Sequence, residues 1–288
     1  MYCISGAIVI LEVYDFIIVT QDLMQPLRIN TLTQQQSKPF SSLDLPIMFI
    51  SGLLKSFNYI ITFSVFYDYN FQHLTYSGCA ISMATTCETP IKNLEVNEEI
   101  RDELLSHKLF KTIDQSVDEE EHSLEMHMPY VAKILNDHTS DATIVPIMVG
   151  NLSDDQELAF AQVLVQYMND PSIFFVISSD FCHWGSRFRY TPHDKTSPPS
   201  QIHEFIESMD REGMDLIQNQ DLQGFKEYLE DTENTICGRN PIKLLLRILE
   251  ESGGGYEVNF VKYDQSSPVQ SLSDSSVSYA SAIITKTS

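Results

Sequence analysis

Two short apolar runs, Thr143–Val149 and Ile173–Ile177, flank a stretch with helical signals, and this pattern constrains the fold more than any other feature of the chain. The first run is β-branched and ends at Gly150, while the second is apolar throughout. Uninterrupted apolar runs of this length suit strands buried on both faces of a sheet. Between them Ser153 precedes Gln156 by three residues, the signature of a reciprocal N-terminal cap, and predicts a helix reaching about Met168. Strand, helix and strand in this order read as a βαβ unit, because parallel neighbours need a crossover of this length.

Other elements extend the alternation. Leu124, Met128, Val131 and Leu135 form one apolar stripe on a helix over 117–135, and Pro129 marks a kink or a late start. Helices follow at Ile202–Gln218 and at Leu222–Leu229, the second capped by Asp221. Asn240 followed by Pro241 predicts a helix start, and Gly253 its end. Beyond the Gly253–Gly255 turn, Tyr256–Tyr263 and Val277–Thr285 read as an antiparallel pair joining the sheet. The expected fold class is α/β, a single domain with a mixed, largely parallel sheet flanked by helices.

The front of the chain is different. Residues 1–20 are apolar but carry Glu12 and Asp15 with no basic residue before the apolar run, so a secretory signal is not expected. Pro46–Phe66 is long enough to span a bilayer, yet Lys55 stands at its centre with Asn58 close by, at a cost of about 2.5–3.5 kcal/mol for the lysine. No membrane span is expected; the stretch reads as a buried strand, a buried helix or a segment without stable fold. The domain division read from this contrast is 1–70, a divergent N-terminal segment expected to pack poorly, and 71–288, the α/β domain.

Charge narrows the partners. Against 18 Lys and Arg stand 40 Asp and Glu, a net charge of −22 that repels phosphate backbones, so nucleic acid is not an expected partner. Five cysteines without a CxxC pair indicate neither a disulfide framework nor a zinc module and suit a reducing, cytoplasmic setting.

In open α/β sheets ligands gather beyond the carboxyl ends of the strands. After Ile173–Ile177 comes Ser178-Ser179-Asp180-Phe181-Cys182-His183-Trp184-Gly185, where Asp180 and His183 could ligate a metal, orient one another or exchange a proton. Trp184, the only tryptophan, either joins that site or fills the core. Cys237, just before a helix N-terminus and next to Arg239, is placed for a lowered thiol pKa, as a ligand or reactive group, against the commoner buried cysteine. His122 and Glu125 share a helix face at i, i+3. Arg187 and Arg189 alternate about Phe188 and could hold a carboxylate or phosphate, or form surface ion pairs.

Five segments in order carry a resemblance: Asp-Glu-Glu-Glu-His-Ser-Leu-Glu-Met-His-Met-Pro-Tyr (118–130), Ser-Ser-Asp-Phe-Cys-His-Trp-Gly (178–185), Arg-Phe-Arg-Tyr (187–190), Asn-Thr-Ile-Cys-Gly-Arg (234–239) and Asp-Ser-Ser-Val-Ser-Tyr-Ala (274–280). From about Cys79 to Thr285 the chain resembles the Memo family, mediators of ErbB-driven cell motility. The resemblance implies a fold similar to class III extradiol dioxygenases and a cytoplasmic adaptor that relays receptor tyrosine kinase signals to the cytoskeleton through phosphotyrosine-containing peptides. It also implies iron or copper binding, with a metal-dependent redox enzyme as the alternative function. Carried over by motif, Cys237 matches the metal-ligating cysteine, Asp180 and His183 match pocket residues, and His122 and Glu125 match the motif beside them. Trp184 and Arg189 fall in the same pocket motifs. The family's front motifs, His-Ala-Gly-Ser-Trp-Tyr, Pro-His-Ala-Gly-Tyr and Gly-Pro-Ser-His-His, are absent. His73 stands where the second histidine of the His-His pair belongs, Gln72 replaces the first, and the remaining ligand histidine has no counterpart, which implies weakened metal binding.

Overall fold

The computed structural model describes residues 7–8, 16–17, 19–20, 59–65, 76–120, 122–125, 127–137, 142–170 and 172–287. Among the described residues the main elements are β1 Tyr59–Val65, β2 Cys79–Ile81, α1 Glu98–Ser106, β3 Lys111–Thr112, α2 Gln115–Glu120, α3 His122–Glu125, α4 Met128–Asp137, β4 Thr143–Val149, α5 Asp154–Met168, β5 Ile173–Ile177, β6 His183–Gly185, α6 Ile202–Gln218, α7 Leu222–Thr232, α8 Arg239–Glu251, β7 Tyr256–Gln265 and β8 Ser275–Lys286. The central sheet has five strands in the order β5-β1-β4-β2-β3. The pairs β5–β1, β1–β4 and β2–β3 are parallel and only β2–β4 is antiparallel, so the sheet is mixed and largely parallel as expected.

The two apolar runs form strands with the predicted bounds, and both are buried along almost their whole length. They are not neighbours. β1 lies between them, with Ile61 opposite Val145 on one side and Phe175 on the other. Ile60, Ile61 and Phe63 are at most 2% exposed, so the expectation of poor packing for the first 70 residues fails at this strand. The apolar character of Tyr59–Val65, part of the ambiguous Pro46–Phe66 stretch, is that of a centre strand covered on both faces. Lys55 lies outside the described residues. Among the described residues no helix is long and apolar enough to cross a membrane.

The capping box forms at α5, with Ser153 accepting from the Gln156 N–H and Gln156 reaching back to the Ser153 N–H. Asp221 caps α7 through the Gly224 N–H at 2.8 Å. The expected helix over 117–135 is instead interrupted by a turn at His127, between α3 and α4, and Pro129 is the second residue of α4, the late start that its missing N–H allows. Its apolar stripe is kept: Leu124, Met128, Val131 and Leu135 are all buried. The helix expected to begin at Asn240 begins at Arg239, with Gly238 as a cap that makes no side-chain bond.

The terminal pair β7–β8 is antiparallel, with an irregularity between Phe260 and Lys262. It does not join the central sheet. With β6 it forms a second sheet in the order β6-β8-β7, to which the short strand Phe16–Ile17 adds a fourth member by pairing antiparallel with Ile283–Ile284 of β8. The chain between β5 and β6 links the two sheets: the Ser178 N–H donates to the Phe63 carbonyl, the Phe181 N–H to the Ser278 carbonyl, and the Ser278 N–H to the Cys182 carbonyl. Residues 178–183 therefore run from the carboxyl end of the central sheet onto the edge of the second.

Candidate functional site at the strand end

A second loop, Thr235–Gly238, is stitched along this linking segment. The Asp180 N–H points at the Cys237 sulphur, 2.9 Å away, and the Cys237 N–H donates to the Asp180 carbonyl at 3.3 Å. Gly238 donates its N–H to Ser179 Oγ at 3.0 Å, and Ser179 Oγ donates to the Asp180 carbonyl. This approach requires glycine, because a Cβ at position 238 would stand 2.4 Å from the Ser178 carbonyl oxygen. At the far end the His183 N–H donates to Thr235 Oγ1 at 2.7 Å, and Thr235 Oγ1 donates back to the His183 carbonyl at 3.2 Å. The early start of α8 follows from the same stitching, which pulls Gly238 onto Ser179 and commits the next residue to the helix.

Asp180, His183 and Cys237 are thus brought together as their sequence positions suggested. Asp180 is 1% exposed, and among the described residues neither carboxylate oxygen receives a hydrogen bond. Its Oδ2 lies 3.5 Å from His183 Nε2. Burial, followed by the charge of Asp180, pushes the Cys237 thiol well up from its ordinary value, although the residue keeps some exposed surface. This reverses the expectation of a thiol lowered by the helix end and Arg239: the sulphur faces a carboxylate in an enclosed setting, and two N–H donors offset only part of that.

The remaining sequence candidates fall elsewhere. Trp184 is fully buried and donates its indole N–H to the Pro192 carbonyl at 2.7 Å, so it offers no surface to a ligand. Arg189 is exposed at the left-handed end of a short turn, and Arg187 lies over the Phe188 ring, 4.4 Å from its centroid. That ring meets His183 edge to face at 5.2 Å. Glu125 is exposed and lines a different cleft of about 690 Å³ with Ser82 and Asp118, apart from Asp180 and Cys237. His122 belongs to α3, and Ser178 Oγ donates to the carbonyl of its neighbour Ser123 at 3.5 Å, which brings this segment beside the loop. The His122 side chain and all of His73 lie outside the described residues.

Sequence reasoning missed Thr235, which holds His183 from the second loop. Its signal was present in Asn-Thr-Ile-Cys-Gly-Arg, a polar, hydroxyl-bearing residue two places before the cysteine.

A metal ion needs lone pairs and negative charge from its ligands. The carboxylate of Asp180, the Nε2 edge of His183 and the Cys237 sulphur offer an oxygen, a nitrogen and a sulphur, donor types that transition metals take. Among the described residues no three His, Cys, Asp or Glu side chains are gathered closely enough to hold a metal ion.

The fold and site define a class: an α/β protein with a mixed, largely parallel sheet whose strand-end loops carry an Asp, a His and a Cys. The chain belongs to the Memo family, since the model for Memo-like proteins matches residues 70–283. It is 43% identical over 216 residues to Protein MEMO1 of Xenopus laevis and 41% identical over 217 residues to Protein MEMO1 of Homo sapiens, each alignment covering 74% of this chain and 72% of the relative. Protein memo-1 homolog of Caenorhabditis elegans is 41% identical over 212 residues, 72% of this chain and 60% of the relative. β1 precedes the stretch that the family model matches.

Proposed function

We propose that the protein is a cytoplasmic Memo-type adaptor that relays receptor tyrosine kinase signals to the cytoskeleton in cell motility. The observation that carries this reading is family membership across the residues that build the strand-end loops. The phosphotyrosine of a receptor peptide is met on the exposed face carrying Arg187 and Arg189, where guanidinium groups suit a phosphate. Calorimetric titration of the full chain with a phosphotyrosyl peptide and its unphosphorylated twin tests this. Binding of the phosphorylated form, weakened at least tenfold in Arg187→Ala, is expected; equal binding of both peptides overturns it.

A second reading is favoured by the carboxylate of Asp180, which is buried opposite His183 and receives no hydrogen bond among the described residues. Here iron or copper is held by Cys237, His183 and Asp180, with His73 as a further ligand by motif. Such a metal, when bound, supplies Lewis acidity and one-electron chemistry. Asp180 contributes charge, His183 an imidazole nitrogen, and Cys237 a sulphur that must lose its proton as the metal enters. Metal analysis of protein loaded with iron or copper and then dialysed, compared with Cys237→Ser, separates this reading from a metal-free adaptor.

A further inference from the structure

We propose that the cleft beside α2 and α3 is a docking groove for a basic segment of a partner protein, one that alternates lysine or arginine with apolar residues. The cleft measures about 690 Å³, and its lining includes neither the strand-end loops nor Arg187 and Arg189. Apolar cavities of this size that carry a few polar groups are the usual sites of ligand binding. Two separate parts of the chain supply most of the lining: the segment Ser82–Glu88, which follows β2, and residues of α2, α3 and the first turn of α4.

The cleft is apolar where it is deep and acidic where it is open. Ile113, Leu124, Met128 and Pro146 are buried, and Met83, 45% exposed, carries the apolar surface outward. Glu88 and Glu119 are exposed around them, and Asp118 is half-buried. No Lys, Arg or His is among the described residues that line the cleft. Lysine and arginine bury themselves in such a place, with the hydrocarbon stem on apolar surface and the charged head at its edge. An acidic segment would be repelled, and a wholly apolar one would cover carboxylates without compensating them.

Asp118 shows that the cleft lacks a cation of its own. The buried hydroxyl of Ser82 donates to its Oδ2, yet burial still raises the carboxyl above its ordinary value and the charge of Glu119 adds to the rise. Arg101 reaches this region from behind, where its Nη1 donates to the Ala84 carbonyl at 3.4 Å, but its charge is committed to Glu98 and Asp102. Carboxylates come from both parts of the lining, Glu88 from one and Asp118 and Glu119 from the other. Several heads presented in succession, as an extended segment presents them, suit that spread better than one amine. The net charge of −22 steers a basic partner toward the protein.

Fluorescence anisotropy of a labelled short peptide alternating lysine and leucine, titrated with the full chain, tests the proposal against a twin built on glutamate and leucine. Only the lysine peptide should bind, and it should slow alkylation of Cys87, a partly exposed residue of the cleft, while leaving Cys237 at its former rate. Asp118→Asn combined with Glu119→Gln should weaken binding about fivefold, whereas Glu257→Gln combined with Asp264→Asn, the same loss of charge at exposed positions of β7, should change it less than about twofold. Met83→Ser leaves the charge as it is and should weaken binding about threefold. Absence of lysine-peptide binding, equal binding of both peptides, or an unaltered rate at Cys87 overturns the proposal. Equal weakening by the two charge pairs overturns it as well, since the attraction would then belong to the net charge and not to the cleft. Displacement of the peptide by an equal concentration of spermidine overturns it in favour of a free polyamine.

Discussion

The central sheet and the loops at its end are built on opposite terms. In the sheet, β1 is covered on both faces, is paired along its whole length with β4 and over Tyr59–Phe63 with β5, and Ile61 and Phe63 meet apolar partners across both neighbours. In the loops, polar backbone and side-chain groups are spent on one another, but the carboxylate of Asp180 is buried without a donor among the described residues. Apolar burial stabilises the first region, whereas in the second a buried carboxylate without a hydrogen bond among the described residues works against folding. The difference teaches where stability and ligand chemistry reside: a change in the sheet should cost folding, and a change in the loops should cost binding more than folding.

The largest expected effect tests the first half. Phe63→Ala, in the centre of β1, should lower the unfolding free energy by about 3–5 kcal/mol, read from urea denaturation. A loss under about 1 kcal/mol would falsify the placement of this strand at the centre, since a cavity among fully buried neighbours cannot be that mild.

Acidification gives the next effect, through two buried groups outside the loops. Burial pushes the carboxyl of Asp210 up to about 6, even though Asn234 and Tyr263 donate to it. The folded carboxyl then holds its proton more tightly than the unfolded one, so its contribution grows as pH falls through 6 and is complete below the ordinary value of about 3.9. Burial pushes the imidazole of His127 down to about 4, so its contribution, complete above about 6.5, is lost as pH falls toward 4. Between pH 7 and 4 Asp210→Asn should therefore lose more stability than the unsubstituted protein and His127→Gln less, by about 1.4 kcal/mol for every tenfold difference in proton affinity between folded and unfolded chain that the substitution abolishes. Unfolding curves at pH 7, 5.5 and 4 measure this, and parallel losses in all three proteins would sink it.

Gly238→Ala sharpens the comparison at the boundary between loop and helix. Its Cβ would meet the Ser178 carbonyl and Ser179, so a cost of about 1–3 kcal/mol is expected, with faster proteolytic cutting near 235–240. Unchanged proteolysis would mean that the two loops are not held as closely as their hydrogen bonds indicate.

The smallest effect has the opposite sign. Asp180→Asn removes a buried carboxylate whose oxygens receive no hydrogen bond among the described residues and face only the His183 ring at 3.5 Å, so the unfolding free energy should rise by about 1 kcal/mol while retention of iron or copper falls. Loss of stability in this variant would show that the carboxylate supports the fold, and the contrast between the regions would collapse.

Local patterns made much of the fold legible. β4, β5, α5 and the Asp221 cap came from apolar runs and capping residues that act within a few residues of themselves. The interruption of 117–135 at His127 did not, because one apolar stripe serves a broken helix as well as a continuous one when every member reaches the core. For the site, Asp180, His183 and Cys237 were readable as residue types at element ends. The upward direction of the thiol pKa was not, because it comes first from burial by the assembled fold and then from a carboxylate 57 residues away in sequence.

By itself the sequence determined the α/β class, most strand and helix segments after residue 142 though not β6, and the family. Tertiary structure alone decided that Tyr59–Val65 takes the place between β4 and β5, that the terminal hairpin builds its own sheet, and that Thr235 binds the backbone of His183. Periodicity and capping are written in short-range chemistry that each segment carries with it. Strand order and loop pairing depend on which distant groups arrive opposite one another, and only the assembled packing of the whole chain selects those partners.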